Sequence, residues 1–289
     1  MTIERNGAEA RPAPQRSVSR IGADLWPRVG AAIVLAVVAL AAAWVGGFVF
    51  VALWWAAAAF VFWEWQRLIR AEKLIERVVL GLIALALAAV FAMNGSIAGA
   101  LGTLAAGALV VGWLAGPGLR VWGGGGTLYA GALAVSLALL RASPAYGLPA
   151  ILWLFAVVWG ADIAAYFAGR LIGGPRLWPR VSPGKTWSGA VVGALAGAAC
   201  GLVAAAWTNR VDLLFWLGLA TAIVSQLGDL FESAVKRRFG AKDSGGLIPG
   251  HGGLMDRLDA FIAASLFAAL LAALETRGSY LASGLFVWR

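Results

Sequence analysis

Long blocks of Leu, Ala, Val, Ile, Phe and Trp recur along the chain without a continuous polar stripe, and this feature limits its fold more than any other. A helix that faces water on one side needs such a stripe. A helix that crosses a bilayer core about 30 Å thick needs instead roughly 20 apolar residues, with about 17 as a practical minimum. Only 13% of the 289 residues are charged and 61% are hydrophobic, whereas soluble domains carry about 25% charged residues. The expected fold is all-α: a polytopic integral membrane protein.

The apolar blocks place spans near Val29–Val45, Gly47–Trp63, Val78–Met93, Ile97–Ala115, Thr127–Leu140, Leu148–Phe167, Gly189–Trp207, Leu213–Leu230 and Ala260–Leu274. The count is about nine, and Thr127–Leu140 is the shortest. The distribution of basic residues checks the count. With a cytoplasmic N-terminus, all 23 Lys and Arg fall on the inner side except Arg141, Arg210, Arg277 and Arg289, as the positive-inside rule requires. Dropping the fifth span would move the last two basic loops outside. Residues 1–28, rich in Arg, Pro and Ala, read as a disordered cytoplasmic arm with no cleavage site after it. Residues 29–147 form the N-terminal spans, and 148–289 the C-terminal region that carries the chemistry.

Several features have plain structural readings. The net charge of +9 is a topology signal in such a chain and does not point to nucleic acid. Cys200 stands alone, which excludes an intrachain disulfide and a cysteine zinc site; it reads as a small buried hydrophobe. Gly99, Gly102 and Gly107, like Gly189, Gly193 and Gly197, are spaced for close helix packing. Glu64 with Arg67, and Glu72 with Arg77, read as solvated interfacial charges. Gly123–Gly126 reads as a flexible turn.

Polar chemistry concentrates in two later segments. In Trp159–Gly189, Asp162 falls inside a predicted span, where an ionisable group is costly and by default functional. Gly184-Lys185-Thr186 resembles the end of a P-loop, but Pro179 stands where that motif needs glycine. Lys185 and the hydroxyls of Ser182 and Thr186, just before a helix, remain suited to phosphate. The second segment, Ser225–Ala260, holds Asp229, Glu232, Asp243, Asp256 and Asp259, together with His251 and five basic residues. Asp229 and Glu232 share a helix face, as do Asp256 and Asp259. The first pair ends one span and the second opens the next, so the two can meet at one membrane face. Carboxylates flanked by Lys and Arg suit a divalent metal bound together with a nucleoside triphosphate.

Ser233–Asp259 reads SAVKRRFGAKDSGGLIPGHGGLMDRLD. This closely resembles the signature of the phosphatidate cytidylyltransferase family, which runs from S-x-apolar-K-R through K-D to H-G-G-x-x-D-R-x-D. Asp162–Arg170 and Ser182–Gly189 are similar to further family segments. Gly184 and Ser188 depart from it, where many members carry a lysine and an acidic residue. The resemblance implies an enzyme of the bacterial inner membrane, active at the cytoplasmic face, that uses CTP and phosphatidic acid. It also implies Mg²⁺, sometimes with a monovalent cation such as K⁺, and a homodimer. By matching position, Asp229 and Asp256 would be the leading metal ligands and Asp259 and Asp162 the secondary ones. Lys185, Lys236, Arg237, Lys242, Asp243, His251 and Arg257 would bind or orient the triphosphate and the lipid phosphate, supported by Ser182 and Thr186. A phosphate oxygen of phosphatidic acid would attack the α-phosphorus of CTP and displace pyrophosphate. The rival readings are a CTP-dependent lipid kinase and a cation transporter.

Overall fold

A computed structural model describes residues 25–206, 211–245, 252–275 and 280–287. Its helices are α1 (Leu25–Val45), α2 (Gly47–Leu68), α3 (Leu74–Met93), α4 (Ile97–Leu114), α5 (Arg120–Arg141) and α6 (Gly147–Leu171). A short antiparallel hairpin follows, β1 (Arg176–Trp178) and β2 (Ser182–Thr186). The chain continues through α7 (Trp187–Ala204), α8 (Val211–Arg238), α9 (Met255–Glu275) and the single turn α10 (Ser283–Phe286). Among the described residues eight helices, α2 to α9, are long and apolar enough to cross a bilayer, and α1 adds an apolar stretch over Ala32–Val45. This is a multi-pass membrane protein.

The fifth helix corrects the sequence reading. It begins at Arg120, seven residues before the expected start, and the presumed Gly123–Gly126 turn lies inside it. The glycines are there for proximity. A Cβ on Gly124 would sit 2.5 Å from the carbonyl oxygen of Ala108 in α4, and one on Gly126 would sit 2.4 Å from the Trp65 ring in α2. With no side chain in the way, α5 becomes the most buried span, surrounded by α2, α3, α4 and α9. Small residues allow membrane helices to gain packing energy where water supplies no drive.

The α6–α7 contact follows the same logic and was legible in advance. Added Cβ atoms on Gly189, Gly193 and Gly197 would each lie 2.8 Å from a carbonyl oxygen of α6, at Ala165, Ala161 and Val157. Gly102, by contrast, faces open space. Cys200 is half-buried and packs against Gly160.

Two arginines brace the bundle. Arg77, expected in solvent, is fully buried. Its guanidinium donates to Gln66 Oε1, to the Ala71 carbonyl at 2.7 Å and to the Glu72 carbonyl at 2.7 Å. A buried guanidinium is tolerated when its N–H groups are satisfied, and here they close the α2–α3 turn. Arg141 Nε donates to the Ala43 carbonyl at 2.8 Å, capping the end of α1 with positive charge where the helix dipole favours it. That end of α1 is held; residues 33–38 expose most of their apolar side chains.

Candidate active site

Helix α8 runs to Arg238, eight residues beyond the expected end of its span, and so overruns the start of α9. Asp229 therefore lies nine residues inside the helix end, about 14 Å along its axis at 1.5 Å per residue. Seven residues nearer the end, Lys236 stands at the level of the first turn of α9. The polar groups form two adjoining layers along α8.

The shallower layer centres on Asp256. Its Oδ1 accepts a hydrogen bond from Lys236 Nζ at 2.5 Å, and its Oδ2 accepts from the backbone of Gly253 at 2.9 Å and of Ser244 at 3.1 Å. Lys236 Nζ is also 2.7 Å from Glu232 Oε2, and Glu232 is wholly buried. One lysine thus bridges two carboxylates on different helices. A buried ion pair of this kind is expensive to break from either side.

Glu64 from α2 holds this layer in place, although it was expected in solvent. It is 1% exposed. Its carboxylate accepts from the backbone N–H of Leu254 at 3.0 Å and of Met255 at 2.7 Å, and from Ser244 Oγ at 3.3 Å. The first N–H groups of a helix have no intrahelical acceptor, and an anion satisfies them while meeting the positive end of the dipole. The carboxylate presses so close that a Cβ on Gly253 would lie 2.6 Å from it. The one sequence signal for this role was an acidic residue within a run of tryptophan and phenylalanine, and it was read as an interface charge.

The deeper layer gathers Asp162 from α6, Asp229 from α8 and Asp259 from α9. Lys185, projecting from β2, pairs with Asp229 at 2.6 Å. The α8–α9 approach at Gly228, where a Cβ would meet the Asp259 carbonyl oxygen at 2.9 Å, sets Asp229 beside Asp259. Asp259 lies within electrostatic reach of Asp229, Lys185 and Asp162. Tyr129 of α5 packs at a tilt against Trp65 and Phe231, within reach of four carboxylates. It sits in an apolar span, and no motif pointed to it.

The other expected residues divide. Thr186 is the N-cap of α7, its Oγ1 accepting from the Gly189 N–H at 3.1 Å. Ser182 opens β2, and the hairpin is what delivers Lys185 to Asp229. Arg237 donates to the carbonyls of Ala241 at 3.1 Å and Val181 at 3.4 Å, which ties α8 to the hairpin. Lys242 and Asp243 are exposed on the turn after α8, and Arg257 is exposed on the first turn of α9. His251 lies outside the described residues.

Among the described residues no three acidic or imidazole groups converge on one point as a protein-only metal cage. Besides Glu64, the layers offer five carboxylates, three of them in contact with lysines, at one end of the bundle. Hard oxygen donors that leave coordination positions open suit Mg²⁺, which commonly keeps one or two carboxylates and takes phosphate oxygens for the rest.

The chain matches the model of the cytidylyltransferase family over residues 26–274. It is 43% identical over 265 residues to the phosphatidate cytidylyltransferase of Brucella suis biovar 1 (strain 1330), covering 86% of this chain and 95% of that protein. Its likeness to the phosphatidate cytidylyltransferase of Haemophilus influenzae is 41% identity over 145 residues, 48% of this chain and 50% of that protein. For the Bacillus subtilis (strain 168) phosphatidate cytidylyltransferase it is 41% over 132 residues, 45% and 49%.

Proposed function

The chain belongs to the cytidylyltransferase family, and on that premise we propose that it joins CTP to phosphatidic acid, forming CDP-diacylglycerol and pyrophosphate. It is a nucleotidyltransferase. The observation that carries the reading is the pairing of Lys185 with Asp229 and of Lys236 with Asp256, side by side at one end of a membrane bundle. Both reactants are polyanions, so the first barrier is their repulsion. Fixed lysines lower it and stabilise charge on the departing pyrophosphate. Asp229 and Asp256 would hold Mg²⁺, with Asp259 and Asp162 behind them; the ion supplies charge neutralisation and polarises the phosphoryl oxygens. Lys236 and Lys185 orient the triphosphate, and Arg257 faces the lipid phosphate. Phosphatidate is ionised near neutral pH, its second pKa being about 6 by analogy with phosphoserine, so no side chain need act as a strong base.

The same reading carries an inner-membrane location, a site open to the cytoplasm where CTP is made, a homodimer, and a monovalent cation such as K⁺ beside Mg²⁺. Purified protein given CTP, Mg²⁺ and phosphatidic acid should release pyrophosphate and CDP-diacylglycerol in equal amounts. Asp229→Asn, whose carboxylate makes few structural bonds, should lower turnover by about 10²–10³-fold, as should Asp256→Asn. A phosphorylated lipid with CDP as the products, or metal flux into liposomes without CTP, would overturn the assignment.

A further inference from the structure

A cavity of about 520 Å³ lies between α1 and the α2–α6–α9 face of the bundle. Ile33 and Ala36 of α1 form its outer wall, and Trp54 and Phe261, stacked 5.2 Å apart, form its floor. Asp162 and Arg257 also line it. The helix directions place these two at the site end: Arg257 is in the first turn of α9, and Phe261 is four residues, about 6 Å, deeper along the same helix. The cavity is therefore apolar in depth and charged where it meets the carboxylate layers.

We propose that this groove seats an acyl chain of the phosphatidate substrate and so sets the position of its phosphate at Arg257 and the Asp162–Asp229 layer; the proposal rests on the cytidylyltransferase reading of that site. Three observations select a lipid chain as the occupant. The groove is walled by a membrane-spanning stretch, so the molecules that reach it from the side are lipids. Its charged end offers a guanidinium to a phosphate monoester. Among the described residues its outer wall is tied to the bundle by side-chain hydrogen bonds at the far end, where Arg141 caps α1, while Ile33, Leu35 and Val38 remain 44% exposed or more. A helix anchored at one end and thinly packed at the other can part from the bundle enough to admit a chain. Moving a tail from bilayer to groove changes its hydrophobic surroundings little, so the groove contributes registration of the headgroup more than affinity.

The test compares long- and short-chain phosphatidate on the full-length protein. Ala36→Trp, which fills the groove, should lower kcat/KM for dioleoyl phosphatidate in mixed micelles at least tenfold. It should leave the KM for CTP, and turnover of a water-soluble short-chain phosphatidate, within twofold of wild type. Val34→Trp, 60% exposed and outside the groove, should change neither. Equal loss with both lipids, or no loss with either, overturns the proposal. Wild-type protein with no CTP-dependent pyrophosphate release from either lipid would instead sink the functional reading beneath it. As a measurement independent of turnover, phosphatidate with a diazirine at a chain terminus should label residues 32–39 or the floor around Trp54 and Phe261. Labelling confined to other spans refutes the groove whatever the kinetics.

Discussion

Replacing Glu64 by glutamine tests whether the first half of the chain controls the chemistry of the second. The carboxylate accepts from two backbone N–H groups at the start of α9 and from Ser244 Oγ, all within 3.3 Å. Glutamine has nearly the same volume but keeps a single acceptor oxygen, so its NH₂ must face either the Leu254 or the Met255 N–H. One buried donor then loses its partner, at a cost of about 1–3 kcal/mol. The lost charge at the helix N-terminus adds roughly 0.3–1 kcal/mol. The bundle can bear that sum, since folding stabilities run to about 5–15 kcal/mol. The first turn of α9 should relieve it by shifting, and Asp256 lies on that turn. Misplacing a reacting group by about 1 Å can cost 10²-fold in rate. The expected result is folded, monodisperse protein with kcat lowered between tenfold and a hundredfold and the KM for CTP altered far less. The assay is pyrophosphate release at saturating CTP and phosphatidate, beside a thermal melt in the same detergent. Turnover within twofold of wild type would refute the positioning role. So would a lower melting temperature with unchanged specific activity, because Glu64 would then only stabilise.

Lys236→Met should leave Glu232 and Asp256 facing each other without a cation, at a cost of about 3–5 kcal/mol; a melt should show a sharp loss, with Glu232→Gln in the same chain restoring part of the stability but not the turnover. Gly124→Val should force α5 away from the Ala108 carbonyl and destabilise by about 1–3 kcal/mol, read as a lower melting temperature, while Gly102→Ala, with nothing within 4 Å of its added Cβ, should melt like wild type.

What the sequence disclosed and what it hid divide along a physical line. Apolar length is a property of one helix, so the places of the spans were legible. So was the nearness of Lys236 to Asp256, because the motif Ser233–Asp259 that holds both is contiguous. Partnership outside that motif is not written in either signal. Glu64 and Arg77 looked solvated because each lies near a helix end, where charge is ordinarily at the surface. Their burial depends on α9 and on the α2–α3 turn closing over them. Gly123–Gly126 looked like a turn because four glycines are poor helix formers in water. Inside the bundle, the contact they permit with α4 and Trp65 outweighs that weak propensity. Tyr129 carried no signal, since a tyrosine in an apolar span looks the same whether it faces lipid or carboxylates.

The paired lysines offset part of the negative charge that the site concentrates in a poorly solvated bundle. An isolated carboxylate in such a place would be severely destabilised, so Asp229, Glu232 and Asp256 need cations within contact distance, and Lys185 and Lys236 supply them. A triphosphate arriving with its divalent counterion brings both signs of charge. Under the proposed reaction each lysine would turn from carboxylate to phosphate, leaving Asp229 and Asp256 to hold the divalent ion. The flexible stem and compact ammonium of lysine suit that turn better than the rigid fork of arginine. Arginine at either position should preserve the ion pair with the protein and yet impair turnover. If Lys185→Arg instead supported wild-type kcat, exchange of partners would not be what these lysines are for.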